Sequence, residues 1–348
     1  MAATVIFAPI YFAAIAAYYV ARGLGYSNFW LVDLTGYILP WVLLPALVFL
    51  PGALWRGSRL LLAAAGLPLL AFSVTYAPLA FPNLPARNID QRFTLMTYNV
   101  FVRNVDYDSV LASIQTQNPD IVALQEVTDG LAYRLTADLG QTYPFQKVET
   151  RGPGQAFWGQ AILSRFPIRD YRVVVLGGND RPTLIQYALI EAPGGQLGLV
   201  NVHPHSPGLL IELSDTLPVI VPTGLLVDLR DRDMGEMMRA IEGWPNPLVL
   251  AGDFNLPDQN YWYSRIRERF IDAHREAGSG LGLTRTPHPG WDFPVWRIDF
   301  VFHTADMIAV RTSHGGFGGS DHRPVVAELA FSTTERSGLI QRPGTVED

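Results

Sequence analysis

No cysteine occurs anywhere in the 348 residues, which excludes disulfides, zinc–thiolate centres and cysteine nucleophiles. Lysine is almost missing as well: Lys147 stands alone, so nearly every positive charge is a guanidinium. Charge of either sign is scarce in residues 1–86, where only Arg22, Asp33, Arg56 and Arg59 carry it. Of 26 basic and 32 acidic residues, three and one stand there, leaving 23 and 31 from Arg87 onward and a formal balance of −8. That balance argues against a protein that grips nucleic acid through a broad basic surface, though a nuclease with a small basic patch stays open.

What fills the uncharged N-terminal region is apolar. Residues 2–21, 34–55 and 60–86 hold no charge, and each meets the roughly 20 residues needed to cross a bilayer core. The first lacks the basic start of a signal peptide, and three in succession predict about three retained transmembrane helices. Pro40, Pro45, Pro51, Pro68 and Pro78 would bend them, which neighbouring helices in lipid tolerate. The bland alternative for one stretch is a buried core helix. Arg56 and Arg59 outnumber Arg22 in the connecting loops, so the positive-inside rule puts the domain from Arg87 on the extracytoplasmic face of the cell membrane. Three regions are expected: membrane helices over 1–86, a catalytic domain over 87–331, and a loose polar tail over 332–348.

From Phe93 the pattern changes to short apolar runs between turn residues. Strands are predicted at 93–100, 120–125, 157–163, 184–190, 197–202, 247–251, 297–302 and 323–330. Helices are predicted over 107–118, with Asp106 as cap, and near 129–139, 225–242 and 260–269. Strands outnumber helices, which favours an α/β protein with mixed sheets over strict alternation. Polar residues recur where these strands end or begin: Asn99, Glu126, His203, Asp253, Asn255, Asp299, Asp321 and His322. Any one alone reads as a turn former. Their joint delivery of carboxylates, amides and imidazoles points to a site. His205, His288 and His314 read as bystanders.

The order of motifs resembles the endonuclease/exonuclease/phosphatase (DNase I-like) superfamily. The matching pieces are TYNV (97–100), LQEV (124–127), GQAILSRFPI (159–168), NVHPHSP (201–207), GDFN (252–255), RIDFVF (297–302) and SDHRPV (320–325). The resemblance implies a four-layer α/β/β/α sandwich with two mixed sheets, and a Mg2+- or Mn2+-dependent phosphoesterase. It implies metal-side roles for Glu126, Asn99 and Asp321, a water-activating role for Asp253, and phosphoryl contacts from Asn255 and His322. Asp299 would orient His322, and His203 would serve the leaving group. The layout is similar to bacterial members with N-terminal membrane helices, among them glycopeptide-resistance-associated membrane phosphatases.

Two stretches depart from that pattern: PGLLIELSDTLPVIVPTGLLVDL after Ser206 and TPHPGWDFPVW at 286–296. They are read either as an apolar lip that meets lipid or as an extra hairpin packed on the core. The expected partners are the bilayer and a lipid-linked phosphate substrate, prenyl pyrophosphate or a phospholipid or sphingolipid phosphoester. A membrane-tethered nuclease is the alternative.

Overall fold

The computed structural model describes residues 2–57, 59–80, 91–150, 159–178, 181–213, 220–245 and 247–332. The N-terminal region forms helices α1 (Ala2–Gly23), α2 (Trp30–Leu43), α3 (Ala46–Arg56) and α4 (Arg59–Ala80). Gly25 and Gly57, both in the left-handed region at φ 87 and 58, turn the chain between them, a conformation glycine adopts without steric cost. Two segments are long and apolar enough to cross a membrane, Trp30–Gly52 and Leu61–Leu79. Two of the expected three are found among the described residues; the side chains of residues 1–8, at the start of α1, lie outside them. The two windows are 29% and 24% buried, unlike a core helix, which is mostly enclosed.

The rest alternates strands with a few helices. In chain order these are β1 (Arg92–Asn99), α5 (Tyr107–Gln117), β2 (Ile121–Val127), α6 (Asp129–Leu139), β3 (Phe145–Glu149), β4 (Gly159–Ser164), β5 (Ile168–Leu176), β6 (Thr183–Ala192) and β7 (Gly195–Val202). Then follow β8 (Gly208–Leu213), β9 (Ile220–Leu226), α7 (Asp228–Ile241), β10 (Leu248–Asp253), α8 (Tyr261–Ile266), β11 (Ile271–Asp272), α9 (Ala273–Ala277), β12 (Asp299–His303), β13 (Met307–His314) and β14 (Val325–Phe331). Asp106 and Thr128 cap α5 and α6 by accepting from the Ser109 and Leu131 amides, as capping chemistry requires.

One sheet runs β13-β14-β1-β2-β4-β3 and the other β11-β12-β10-β7-β6-β5. Each has a single parallel pair, β1 with β2 and β7 with β10, and its other pairs are antiparallel. Their facing sides share a core of Phe93, Leu95, Ile121, Leu197, Leu199 and Val249, among others. The helices α5 and α6 cover the outer face of the first sheet through Ile114, Leu131 and Leu135. The second sheet is covered by α7 and α8 through Met234, Met237 and Ile266. The result is the expected four-layer mixed sandwich. The hairpin of β8 and β9 stands apart as a two-stranded sheet; residues 214–219 of the apolar insertion and 333–348 of the expected tail lie outside the described residues.

Candidate active site

Topology collects the polar strand termini. A parallel pair brings two strand ends to one edge, and an antiparallel neighbour adds its start there. In the first sheet Asn99 pairs with Gln125 beside Glu126, while β14 begins opposite Thr97, just after His322. In the second, β7 ends before His203 and Asp253 pairs directly with Asp299. The eight candidate residues thus lie at one end of the sandwich.

Local backbone aims them. Glu126 sits where the β2–β4 register shifts, with φ 61; such a bulge redirects a side chain. Asn255 is also left-handed at φ 52. At Gly252 a Cβ would lie 1.9 Å from the Val202 carbonyl oxygen, so only glycine lets β10 approach β7 this closely. Behind the site the core turns polar: Gln125 Nε2 donates to Asn201 Oδ1 at 2.7 Å, and Asn201 Nδ2 donates to Gln186 Oε1 at 2.9 Å. These three residues look like ordinary inward strand positions in sequence, and only the pairing of the sheets reveals them.

Asn99 Nδ2 donates to Glu126 Oε1 at 3.1 Å and to Asp253 Oδ2 at 3.0 Å, while its oxygen accepts from the Phe101 amide. Its amide nitrogen thus faces the carboxylates, and reaching a cation through oxygen would require the amide to turn over. Glu126 Oε2 accepts from the Val102 amide at 2.7 Å. His203 Nε2 stands between Glu126 Oε1 at 3.7 Å and Asp253 Oδ2 at 3.9 Å. His322 Nδ1 contacts Asp299 Oδ2 at 2.9 Å, and its Nε2 lies 3.7 Å from Asp253 and 3.9 Å from Asp321. The Asn255 side chain donates to the Pro204 carbonyl, and its backbone amide to Asp253.

Electrostatics follow from this crowding. Burial lowers His322, yet Asp299 and Asp253 outweigh it and push it up to about 9, so the ring is charged near neutrality. Burial raises Asp253, and although His322 counters it, the Asp299 charge helps leave it above the ordinary carboxylate range. For Glu126 burial again works upward, but His203, the Val102 amide and Asn99 prevail and hold it low.

A divalent cation fits these donors. Asp253, Asp299 and His322 bring buried ligand atoms within 4.8 Å of one another, but the charged His322, held by Asp299, leaves carboxylate oxygens as the donors. Asp299 Oδ1 and Asp321 Oδ1 are buried oxygens without a hydrogen-bond partner, and hard cations prefer such oxygens. Four carboxyl groups, those of Glu126, Asp253, Asp299 and Asp321, also crowd around the two histidines.

Sequence reasoning missed Arg285. Its Nη2 lies 3.3 Å from Asp321 Oδ2, and its guanidinium sits over the Trp296 ring. A loop arginine gives no periodic signal, so only the fold reveals it. Also unforeseen is α2, which packs against the site: Tyr37 donates to the Asn255 carbonyl at 2.6 Å, and Trp41 Nε1 to Val295 O at 2.9 Å. Beneath them Asp33 and Arg230, both with fully buried side chains, form an ion pair at 2.9 Å. Of the bystander histidines, His205 binds Asp233 at 2.6 Å and His314 packs on His274, while His288 contacts the Pro289 carbonyl.

The profile of the Endonuclease/Exonuclease/phosphatase family matches residues 96–322. Among solved structures, an endonuclease/exonuclease/phosphatase from Beutenbergia cavernae is similar at 23% identity and a TM-score of 0.53, over 70% of this chain and 72% of that one. Another from Bacteroides vulgatus has 19% identity and a TM-score of 0.54, over 70% and 100%. Truncated TDP2 of Caenorhabditis elegans has 18% identity and a TM-score of 0.51, over 69% and 98%. At these identities the likeness is one of fold. No curated protein matches the chain.

Proposed function

We propose, since the chain belongs to the endonuclease/exonuclease/phosphatase family, that it is a membrane-associated, Mg2+-dependent phosphoesterase acting on lipid-linked phosphates. Family membership supports hydrolysis of a phosphoester bond. The lipid is favoured by one observation: a membrane-length apolar segment packs directly on the loop that carries Asn255, through Tyr37. The −8 balance beyond residue 86 counts against a nuclease in the same position. In this reading the N-terminal helices lie in the cell membrane and the domain faces the extracytoplasmic side.

Glu126 and Asp321 would hold the cation, with Asn99 fixing the Glu126 carboxylate. When bound, it withdraws charge from the phosphoryl oxygens and lowers the pKa of water. Asp253 accepts a proton from the attacking water, a task its raised pKa suits because proton transfer is best matched near the working pH. His322, kept charged by Asp299, donates toward a phosphoryl oxygen. Asn255 keeps one N–H on Pro204 and has a second to offer. His203, beside Glu126 and Asp253, serves the leaving oxygen.

The test uses full-length protein in vesicles with Mg2+ against prenyl pyrophosphate, phospholipid, sphingolipid and plasmid DNA. Release of phosphate or headgroup from a lipid, abolished by EDTA, is the expected result. Efficient DNA cleavage with every lipid untouched would replace this reading by the nuclease.

A further inference from the structure

A cavity of about 180 Å³ opens between α2, the β8–β9 hairpin and the segment before β12. Its apolar wall comes from Leu34 and Ile38 of α2, Leu209 and Leu225 of the hairpin, and Trp296 and Ile298. Asn255 and Arg285 line it too, so it adjoins the reaction centre through two residues that already face it. A larger polar cleft of about 490 Å³ near Arg22, Asp258 and Arg267 is lined by none of the candidate site residues. Two buried donors at the apolar cavity, Arg285 Nε and Trp296 Nε1, have no hydrogen-bond partner. An unpaired buried donor is costly, and an anionic oxygen would satisfy it. Beyond the cavity the apolar surface continues outward: Leu209, Leu210 and Leu226 are 48%, 44% and 55% exposed.

We infer that this cavity takes the first carbons of a single hydrocarbon chain esterified directly to the phosphate, with Arg285 binding that phosphate group. The inference rests on the lipid-phosphate reading and narrows it to prenyl- or alkyl-type phosphates over two-tailed glycerolipids. Size decides this: an apolar cavity of about 150 Å³ accepts benzene, so this one holds on the order of six carbons and cannot take two chains side by side. The rest of the chain runs along the exposed leucines of the hairpin toward α2. Arg285 suits the other end, because a guanidinium binds phosphate oxygens in a fixed fork and is already half-neutralised by Asp321.

Binding of n-alkylphosphonates, methyl to decyl, to the full-length Mg2+-loaded protein in nanodiscs tests this by calorimetry, with empty discs as blank. Affinity should tighten by about fourfold per methylene, then level near six carbons. Leu225→Trp, which fills the cavity, should flatten that rise and leave methylphosphonate binding unchanged; Ile38→Trp does the same from the opposite wall if the first variant misfolds. Arg285→Gln should weaken every homologue about tenfold with the slope intact. A flat wild-type series, an unaltered slope in both filled variants, or equal affinity for a dialkyl glycerophosphonate overturns the proposal. So does thymidine monophosphate binding that Leu225→Trp abolishes, since the cavity would then hold a base. Chain-dependent binding without turnover of any lipid in vesicles upholds the cavity and sinks the hydrolase reading instead; lipid turnover with a flat series does the reverse.

Discussion

Glu126 combines a left-handed backbone, a bulge and a buried carboxylate within one residue. For a non-glycine residue that backbone costs on the order of 1–3 kcal/mol and persists only where its surroundings enforce it. Glu126→Gln keeps shape and strain but removes one of the crowded charges. Turnover should fall by about a thousandfold or more while the melting temperature holds or rises; an equal fall in both would make Glu126 a structural residue. His274 and the His314 ring packed on it make stability depend on pH. Burial, with Arg297 next, pushes His274 down to about 4, and its ring nitrogens face Thr312 Oγ1 and the Gly280 carbonyl, each at 3.1 Å. The unfolded chain takes up that proton near pH 6.5, the folded chain only near 4, so stability climbs with pH between those limits. Lowering pH through that window should cost roughly 3 kcal/mol from His274 alone in denaturant titrations; His314, packed on it and pushed down to about 3 by burial, adds a slope of the same sign, so His274→Gln should remove about half of the total. Asn99, Glu126, Asp253 and His322 were visible in sequence because each follows or precedes an apolar strand. Arg285, Asp33 and Arg230 were not, because their contacts join segments with no shared period.

At the level of elements, α2 is the unexpected one. In sequence it is only an apolar run with one acid, yet Asp33 takes up Arg230 of α7, and Asn260 donates to the same carboxylate. Truncating one partner of a buried pair costs more than replacing both, since the survivor stays charged, and Arg230 would keep only the Asp231 carboxylate, at 2.8 Å, beside it. Asp33→Asn should therefore destabilise the protein by roughly 3 kcal/mol, and Asp33→Leu combined with Arg230→Met should recover much of it. Thermal melts of the single and double variants check this; additive losses would mean that the pair is not coupled. The central strands β1, β2, β7 and β10 were readable as short, largely apolar runs, β1 by its alternation. β5 and β13 were not, because edge strands alternate charged and apolar residues, as in Ile168–Leu176. The 207–227 insertion was ambiguous between lip and hairpin, and its described parts pair as β8 and β9 while also lining a cavity.

Across the whole molecule, the sandwich supplies one edge of the site and α2 packs against it through Tyr37 and Trp41. A fragment spanning 91–332 retains both sheets but lacks Asp33, Tyr37 and Trp41. It should melt lower than the full chain and turn over even a small soluble phosphodiester several-fold more slowly, since the Asn255 loop loses its Tyr37 contact. Equal melting and equal turnover would show that α2 only tethers.

The buried Asp33–Arg230 pair also bears on how such a protein can change over generations. A leash can be traded for any other leash of similar length. The N-terminal helices are keyed to the domain by a matched charge, so recombination that exchanged them for those of an unrelated gene would leave buried Arg230 with Asp231 as its remaining carboxylate. Helices and domain are thus expected to descend together, with substitutions at position 33 favoured alongside answering ones at position 230.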